Sequence, residues 1–130
     1  MEGELQKRVS IVVPVYNEAA HIRTSMAYVG DICDKASIPY ELVLVDDGSK
    51  DESWKEISSM AKEDERITAV RLSRNFGKEP ALCAGLDAAS GDAVIVMDAD
   101  LQHPPEFIPE MVRLWKEGAE VVEGVKSSRG

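Results

Sequence analysis

Asp98, Asp100 and Gln102 place side-chain oxygens at every second position of the segment Met97-Asp-Ala-Asp-Leu-Gln102, directly after an apolar run. In extended chain, alternate positions point to one side, so the three groups can converge on one cation. An all-oxygen set selects a hard ion, Mg²⁺ or Mn²⁺, and so few protein ligands leave positions open for the oxygens of a diphosphate. Such an ion acts as Lewis acid and template for a departing nucleoside diphosphate. The same spacing occurs in solvated turns and helix caps. Its place just after an apolar strand favours the metal.

Other residues could bind the organic part of such a ligand. Asp46-Asp47-Gly48-Ser49 offers a carboxylate to a base N–H or a ribose hydroxyl. Asp46 is the better candidate, because an Asx turn with Gly48 at positive φ also accounts for Asp47 to Ser49. Tyr16 could stack on a base and Glu18 bind ribose; the alternatives are a loop aromatic and a first-turn helix acid. Ser73-Arg-Asn-Phe-Gly-Lys78 resembles an anion cradle, with Arg74, Lys78 and a glycine ahead of a helix N-terminus. It lacks the G-x-x-x-x-G-K-[ST] spacing of a P-loop, so an ATPase reading fails, and a solvated basic loop is the alternative. His21 and His103 are lone histidines; His103 could stand behind the acidic triplet, but metal ligation by either is not expected.

These residues need a scaffold, and the pattern supplies one. Short β-branched runs alternate with amphipathic stretches, which predicts βαβ units: an α/β, doubly wound, mostly parallel sheet with helices on both faces. Strands are expected at Ser10–Val15, Glu41–Asp46, Ile67–Leu72 and Asp92–Met97, with a fifth at Val121–Val125. The fourth, fully apolar, is expected to be central. Helices are expected from about Glu18 to Cys33 with Ile22, Met26 and Val29 inward, and after Ser49, with Ser49 and Glu52 as a capping box ahead of Trp54, Ile57 and Met60. A third opens at Pro80 and closes at Gly91, and a fourth runs from Pro104-Pro105 to about Lys116. In such a sheet ligands sit beyond the carboxyl ends of the strands, where Tyr16, Asn17 and Glu18, Asp46 and Asp47, Arg74 to Lys78, and Asp98, Asp100 and Gln102 fall.

Composition narrows the partners. A chain of 130 residues is read as one domain, 1–130, able to bury a core. A net charge of -9 argues against nucleic acid or an anionic membrane as the main partner. It also means that a phosphorylated ligand calls for a bridging cation. Cys33 and Cys83 fall in helical segments without a second ligand at metal spacing, and are read as core thiols of a reducing compartment. No run reaches the ~20 apolar residues of a membrane span, and the charged N-terminus does not resemble a signal peptide. The expected location is cytoplasmic, and a homo-oligomer is left open.

Together, Ser10-Ile-Val-Val-Pro-Val-Tyr-Asn-Glu18, Leu44-Val-Asp-Asp-Gly-Ser49, Leu72-Ser-Arg-Asn-Phe-Gly-Lys-Glu79 and Met97-Asp-Ala-Asp-Leu-Gln-His-Pro-Pro105 resemble glycosyltransferase family 2. The resemblance is strongest to the branch of dolichyl-phosphate mannose synthase and the polyprenyl-phosphate glucosyltransferases. It implies a GT-A fold, with Pro14, Tyr16, Glu18 and Asp46 holding the nucleoside of a UDP- or GDP-sugar. Asp98, Asp100 and Gln102 would hold the metal on its diphosphate, and the sugar would pass with inversion to a polyprenyl phosphate. That acceptor is already an anion, so no protein base is required.

Gly124-Val-Lys126 resembles a strand-end motif in which relatives often carry Arg, so Lys126 would contact phosphate as a less rigid point charge. Relatives of this type continue into an acceptor-binding half and often C-terminal membrane helices, which would bring the longer protein to the cytoplasmic face of a membrane. The chain is accordingly expected to be the donor-binding portion, binding nucleotide weakly and transferring little sugar alone. Other readings are a polysaccharide synthase of the same family, a noncatalytic nucleotide-binding module, and a phosphoacceptor receiver domain. The last expects its acidic pair after the first strand, whereas here the pair follows the second.

Overall fold

The computed structural model describes residues 7–102 and 104–118. Its elements are β1 (Val9–Val15), α1 (Ile22–Lys35), β2 (Tyr40–Asp46), α2 (Ser53–Glu63), β3 (Ile67–Arg71), α3 (Lys78–Ala88), β4 (Ala93–Val96) and α4 (Phe107–Lys116). The four strands form one sheet in the order β3-β2-β1-β4, all parallel. The expected strand at Val121–Val125 lies outside the described residues.

Helices cover both faces. Alternate residues of β1 and β2, including Ile11, Val13, Leu42 and Leu44, pack under α1, α2 and α4 through Ile22, Met26, Ile57, Ile108 and Val112. The other face, with Val12, Val43 and Val45, packs under α3 through Ala81. Gly85 brings α3 close: a Cβ there would lie 2.4 Å from Cγ1 of Val12. The chain steps outward from β1 to β3 on one face, then crosses back over the other face through α3 to set β4 on the far side of β1. The order β3-β2-β1-β4 thus contains a switch in strand order between β1 and β4.

Two expectations about the frame change. Among the described residues β4 is an edge strand, not a central one, and its Val94 and Val96 are exposed. An apolar run reports how much of a strand's surface can be buried, but carries no information on its neighbours. The capping box also fails. Helix α2 begins at Ser53 without a side-chain cap, because the Ser49 hydroxyl accepts the Asn17 N–H, 2.9 Å away. Cys33 is buried as expected, its thiol pushed up to about 11 by burial, whereas Cys83 is exposed on α3.

At the amino end of the strands a buried polar cluster ties β1, β2 and the α3–β4 connection together. Ser10 and Glu41 are register partners on β1 and β2, and Ser10 donates its hydroxyl to the Glu41 carboxylate. The same carboxylate accepts the Ser90 N–H at 2.6 Å, and Ser10 Oγ accepts the Gly91 N–H at 2.7 Å. A buried carboxylate is tolerated only when its oxygens are satisfied in this way.

Candidate functional site

The carboxyl ends of β1 and β4 diverge at the switch, and the loops that follow them enclose an open cleft of about 390 Å³. Pro14, Tyr16 and Glu18 line it from β1, Lys78 from the start of α3, and Asp98, Asp100 and Gln102 from the loop after β4. Asp47 and Asn75 complete the wall. Residues scattered over 89 positions, from Pro14 to Gln102, thus meet in one place.

The acidic segment does not reach the cleft as extended chain. Asp98 to Leu101 is a tight turn, closed by the Leu101 N–H to the Asp98 carbonyl at 3.2 Å, with Leu101 at φ 57. The turn presents both carboxylates to the same cleft. Asp98 accepts the Lys78 ammonium at 3.1 Å, and Asp100 accepts the Gln102 amide at 3.1 Å. Across the cleft, burial pushes the Glu18 carboxyl above its ordinary value, and the charge of Asp100 adds to that shift. The wall around Asp100 is therefore one where a cation is welcome. Among the described residues, no three His, Cys, Asp or Glu side chains are grouped closely enough to hold a metal by themselves. The oxygen donors facing the cleft from this turn are two carboxylates and an amide.

The Asp46-Asp47 pair behaves differently from the expectation drawn from its sequence. Asp46 is fully buried, and its Oδ2 has no hydrogen-bond partner; Asp47 is the one that lines the cleft. The Asp47 carboxylate accepts the Phe76 N–H at 2.9 Å and the Gly77 N–H at 3.2 Å. Two of the amides an anion cradle would offer, those of Phe76 and Gly77, are thus held by Asp47 and not free for a ligand. Arg74 stacks over the Phe76 ring at 4.6 Å and does not line the cleft. Lys78 does.

Gly48 makes the pinning possible. It sits at φ 69, and a Cβ there would lie 2.3 Å from the backbone carbon of Arg74 and from the nitrogen of Asn75. Asp47→Ala is expected to cost about 2 to 3 kcal/mol of stability, the typical range for orphaning amides bonded to a charged acceptor. Urea melts would give the loss, and amide exchange should rise first at Phe76 and Gly77. Asp47→Asn, which keeps one acceptor oxygen, should lose less.

The β1 end is braced by the same turn region. The Glu18 N–H donates to Ser53 Oγ at 2.7 Å, and the Asn17 side-chain oxygen accepts the Lys50 N–H at 2.8 Å. Asn17 stands at φ 54, and the preceding Tyr16 is 40% exposed, its ring available to a ligand. Asp47 and Asn17, expected at the strand-end rim, thus act as positioning residues, and Ser53 joins them without having been singled out by its sequence signal. Lys126 and His103 lie outside the described residues, and His21 is exposed at the start of α1.

Residues 10–128 match the family described as Glycosyl transferase family 2. The chain belongs to that family. An undecaprenyl-phosphate 4-deoxy-4-formamido-L-arabinose transferase of Yersinia enterocolitica is 45% identical over 129 residues, covering 98% of this chain and 39% of that protein. A mannosyltransferase of Pyrobaculum calidifontis, solved in complex with GDP-Man and Mn²⁺, superposes with a TM-score of 0.68 at 28% identity. The likeness covers 85% of this chain and 32% of that one. Glucosyl-3-phosphoglycerate synthase of Mycobacterium tuberculosis, in complex with Mn²⁺, UDP and phosphoglyceric acid, gives a TM-score of 0.64 at 31% identity, covering 84% and 39%. The family 2 chain therefore has the GT-A fold. It spans under two fifths of the length of the curated relatives it matches. Among the described residues no helix is long and apolar enough to cross a membrane.

Proposed function

We propose that this family 2 domain binds the donor of a metal-dependent, inverting glycosyltransferase that moves a hexose from a UDP- or GDP-sugar to a polyprenyl phosphate at the cytoplasmic face of a membrane. The observation that carries the proposal is the meeting of Tyr16, Glu18, Lys78, Asp98, Asp100 and Gln102 in one cleft at the switch in strand order. Relatives whose names state a polyprenyl-phosphate sugar transfer, and neighbours solved with nucleotides and Mn²⁺, support the same reading.

The donor set fits a divalent cation chemically. Two carboxylates and an amide oxygen are hard ligands, too few to fill an octahedral shell. Asp98, Asp100 and Gln102 would hold Mg²⁺ or Mn²⁺, which when bound offsets charge on the leaving diphosphate. Tyr16 supplies an aromatic face for the base, and Pro14 shapes the floor beneath it. Glu18 accepts from ribose hydroxyls. Asp46, buried with one oxygen unpartnered, is the carboxylate assigned to the nucleoside under this proposal, while Asp47 lines the cleft and holds loop 73–78. Lys78 adds a positive charge for the diphosphate, and Lys126 is a further phosphate contact under this proposal; Arg74, over the Phe76 ring and off the cleft, is assigned none. Asp98 and Asp100 act on the reaction through the leaving group; the anionic acceptor needs no base.

Calorimetric titration of the chain with UDP and GDP, with and without Mn²⁺, tests the reading. Binding of at least one nucleotide is expected, tightened by Mn²⁺. Affinity unchanged by the metal would remove the metal from the proposal, and no binding of either nucleotide at millimolar concentration would favour a noncatalytic module.

A further inference from the structure

We infer that Lys78 is an exchangeable counter-ion, competing with the divalent cation for Asp98 and then serving the donor's diphosphate once displaced. The inference rests on the donor-binding reading above and deepens it, by coupling metal and nucleotide binding positively through one side chain: the cation frees the ammonium that the diphosphate then takes.

Three observations carry it. The Lys78 ammonium lies 3.1 Å from Oδ1 of Asp98, so it and a chelated cation want the same carboxylate. The two partners differ in freedom: the lysine side chain is 60% exposed and the aspartate 22%. The carboxylate is held in place while the ammonium swings on a flexible four-carbon stem. Third, the lysine's backbone is anchored. Lys78 is the first residue of α3, and the two amides before it are held by Asp47. A displaced ammonium therefore stays at the cleft wall, next to the helix N-terminus, where an anion is favoured.

The exchange has a signature that a mere surface ion pair lacks. An exposed pair of this kind changes an equilibrium by about two- to fivefold. Removing the ammonium should therefore raise affinity for Mn²⁺ alone by about two- to fivefold. The same change should lower affinity for UDP or GDP at saturating Mn²⁺, by about tenfold for loss of one partly exposed charge-assisted contact. Lys78 as a simple structural brace would shift both in one direction, or neither.

The test measures Mn²⁺ binding without nucleotide, from the paramagnetic resonance of free Mn²⁺, on the full chain and on Lys78→Met, Lys78→Arg and Asp98→Asn, with circular dichroism to verify folding. Nucleotide affinity at saturating Mn²⁺ is measured by calorimetry on the same proteins. Tighter Mn²⁺ binding by Lys78→Met together with weaker nucleotide binding, and near-parental behaviour of Lys78→Arg, supports the inference. If Asp98→Asn loses Mn²⁺ but Lys78→Met binds it no more tightly than the parent, the exchange is wrong and the metal site stands. If Asp98→Asn binds Mn²⁺ as the parent does, or none of the proteins binds it, the metal assignment fails and the exchange with it.

Discussion

Asp98→Ala is expected to weaken Mn²⁺-dependent nucleotide affinity by about 100-fold or more, with stability changed by no more than about 1 kcal/mol. The first figure follows from metal sites in which even groups hydrogen-bonded behind the ligands cost 10- to 100-fold when removed; a charged ligand itself should cost at least as much. The second follows from the Asp98 environment. Its partner, Lys78, is exposed, and an ion pair with one exposed member is worth about 0 to 1 kcal/mol. The carboxylate is thus dispensable for the fold and indispensable for the proposed ligand. Calorimetry with Mn²⁺ present and a denaturant melt separate the two quantities. Equal nucleotide affinity in the variant would show that the turn after β4 holds no metal on the donor.

Glu41→Ala should do the reverse: destabilise the chain by about 2 to 4 kcal/mol while leaving the nucleotide site's chemistry intact in whatever fraction stays folded. Glu41 is 7% exposed and sits at the amino end of β2, away from the cleft at the carboxyl ends. Its removal strands the buried Ser10 hydroxyl, at about 1 to 3 kcal/mol, and opens a void besides, while the amide of the exposed Ser90 can turn to water. The pH dependence carries a sign. Burial pushes the Glu41 carboxyl up, but hydrogen bonds from Ser10 and Ser90, with the nearby Arg8 charge, outweigh it and leave the group below its ordinary 4.5. A depressed carboxylate contributes stability that is complete above its unfolded value and is lost as pH falls through the folded one. The stability gap between the parent chain and Glu41→Gln should therefore be widest above about 4.5 and close at more acidic pH. A gap that widens on acidification would contradict the assignment.

Much of this organisation is legible from residue order. The alternation of β-branched runs with helical periodicity identified the four described strands within one or two residues, and Ile22, Met26, Val29, Ile57 and Met60 all face the core as their spacing required. Periodicity reports which face of an element is apolar, and apolar faces are buried for a reason that does not depend on topology. The position of β4 was not legible in the same way. Strand order is decided by crossovers and by what pairs with each edge, and an apolar run is compatible with many neighbours.

The chemistry divides along the same line. That oxygen ligands, an aromatic and a lysine follow strand ends is a property of the chain, because strand and loop boundaries are set by local composition. Which of Asp46 and Asp47 faces the ligand is not. Neighbouring residues point to opposite faces, and the packing of loop 73–78 against Gly48 sets Asp47, itself only 5% exposed, against Phe76 and Gly77 at the cleft wall while Asp46 is fully enclosed. Likewise Asp98 and Lys78 are 20 positions apart, and no spacing rule joins them. Their contact exists because α3 crosses the sheet to deliver β4 beside β1. Local sequence determined the inventory of reactive groups; long-range pairing, which periodicity does not encode, decided which of them meet.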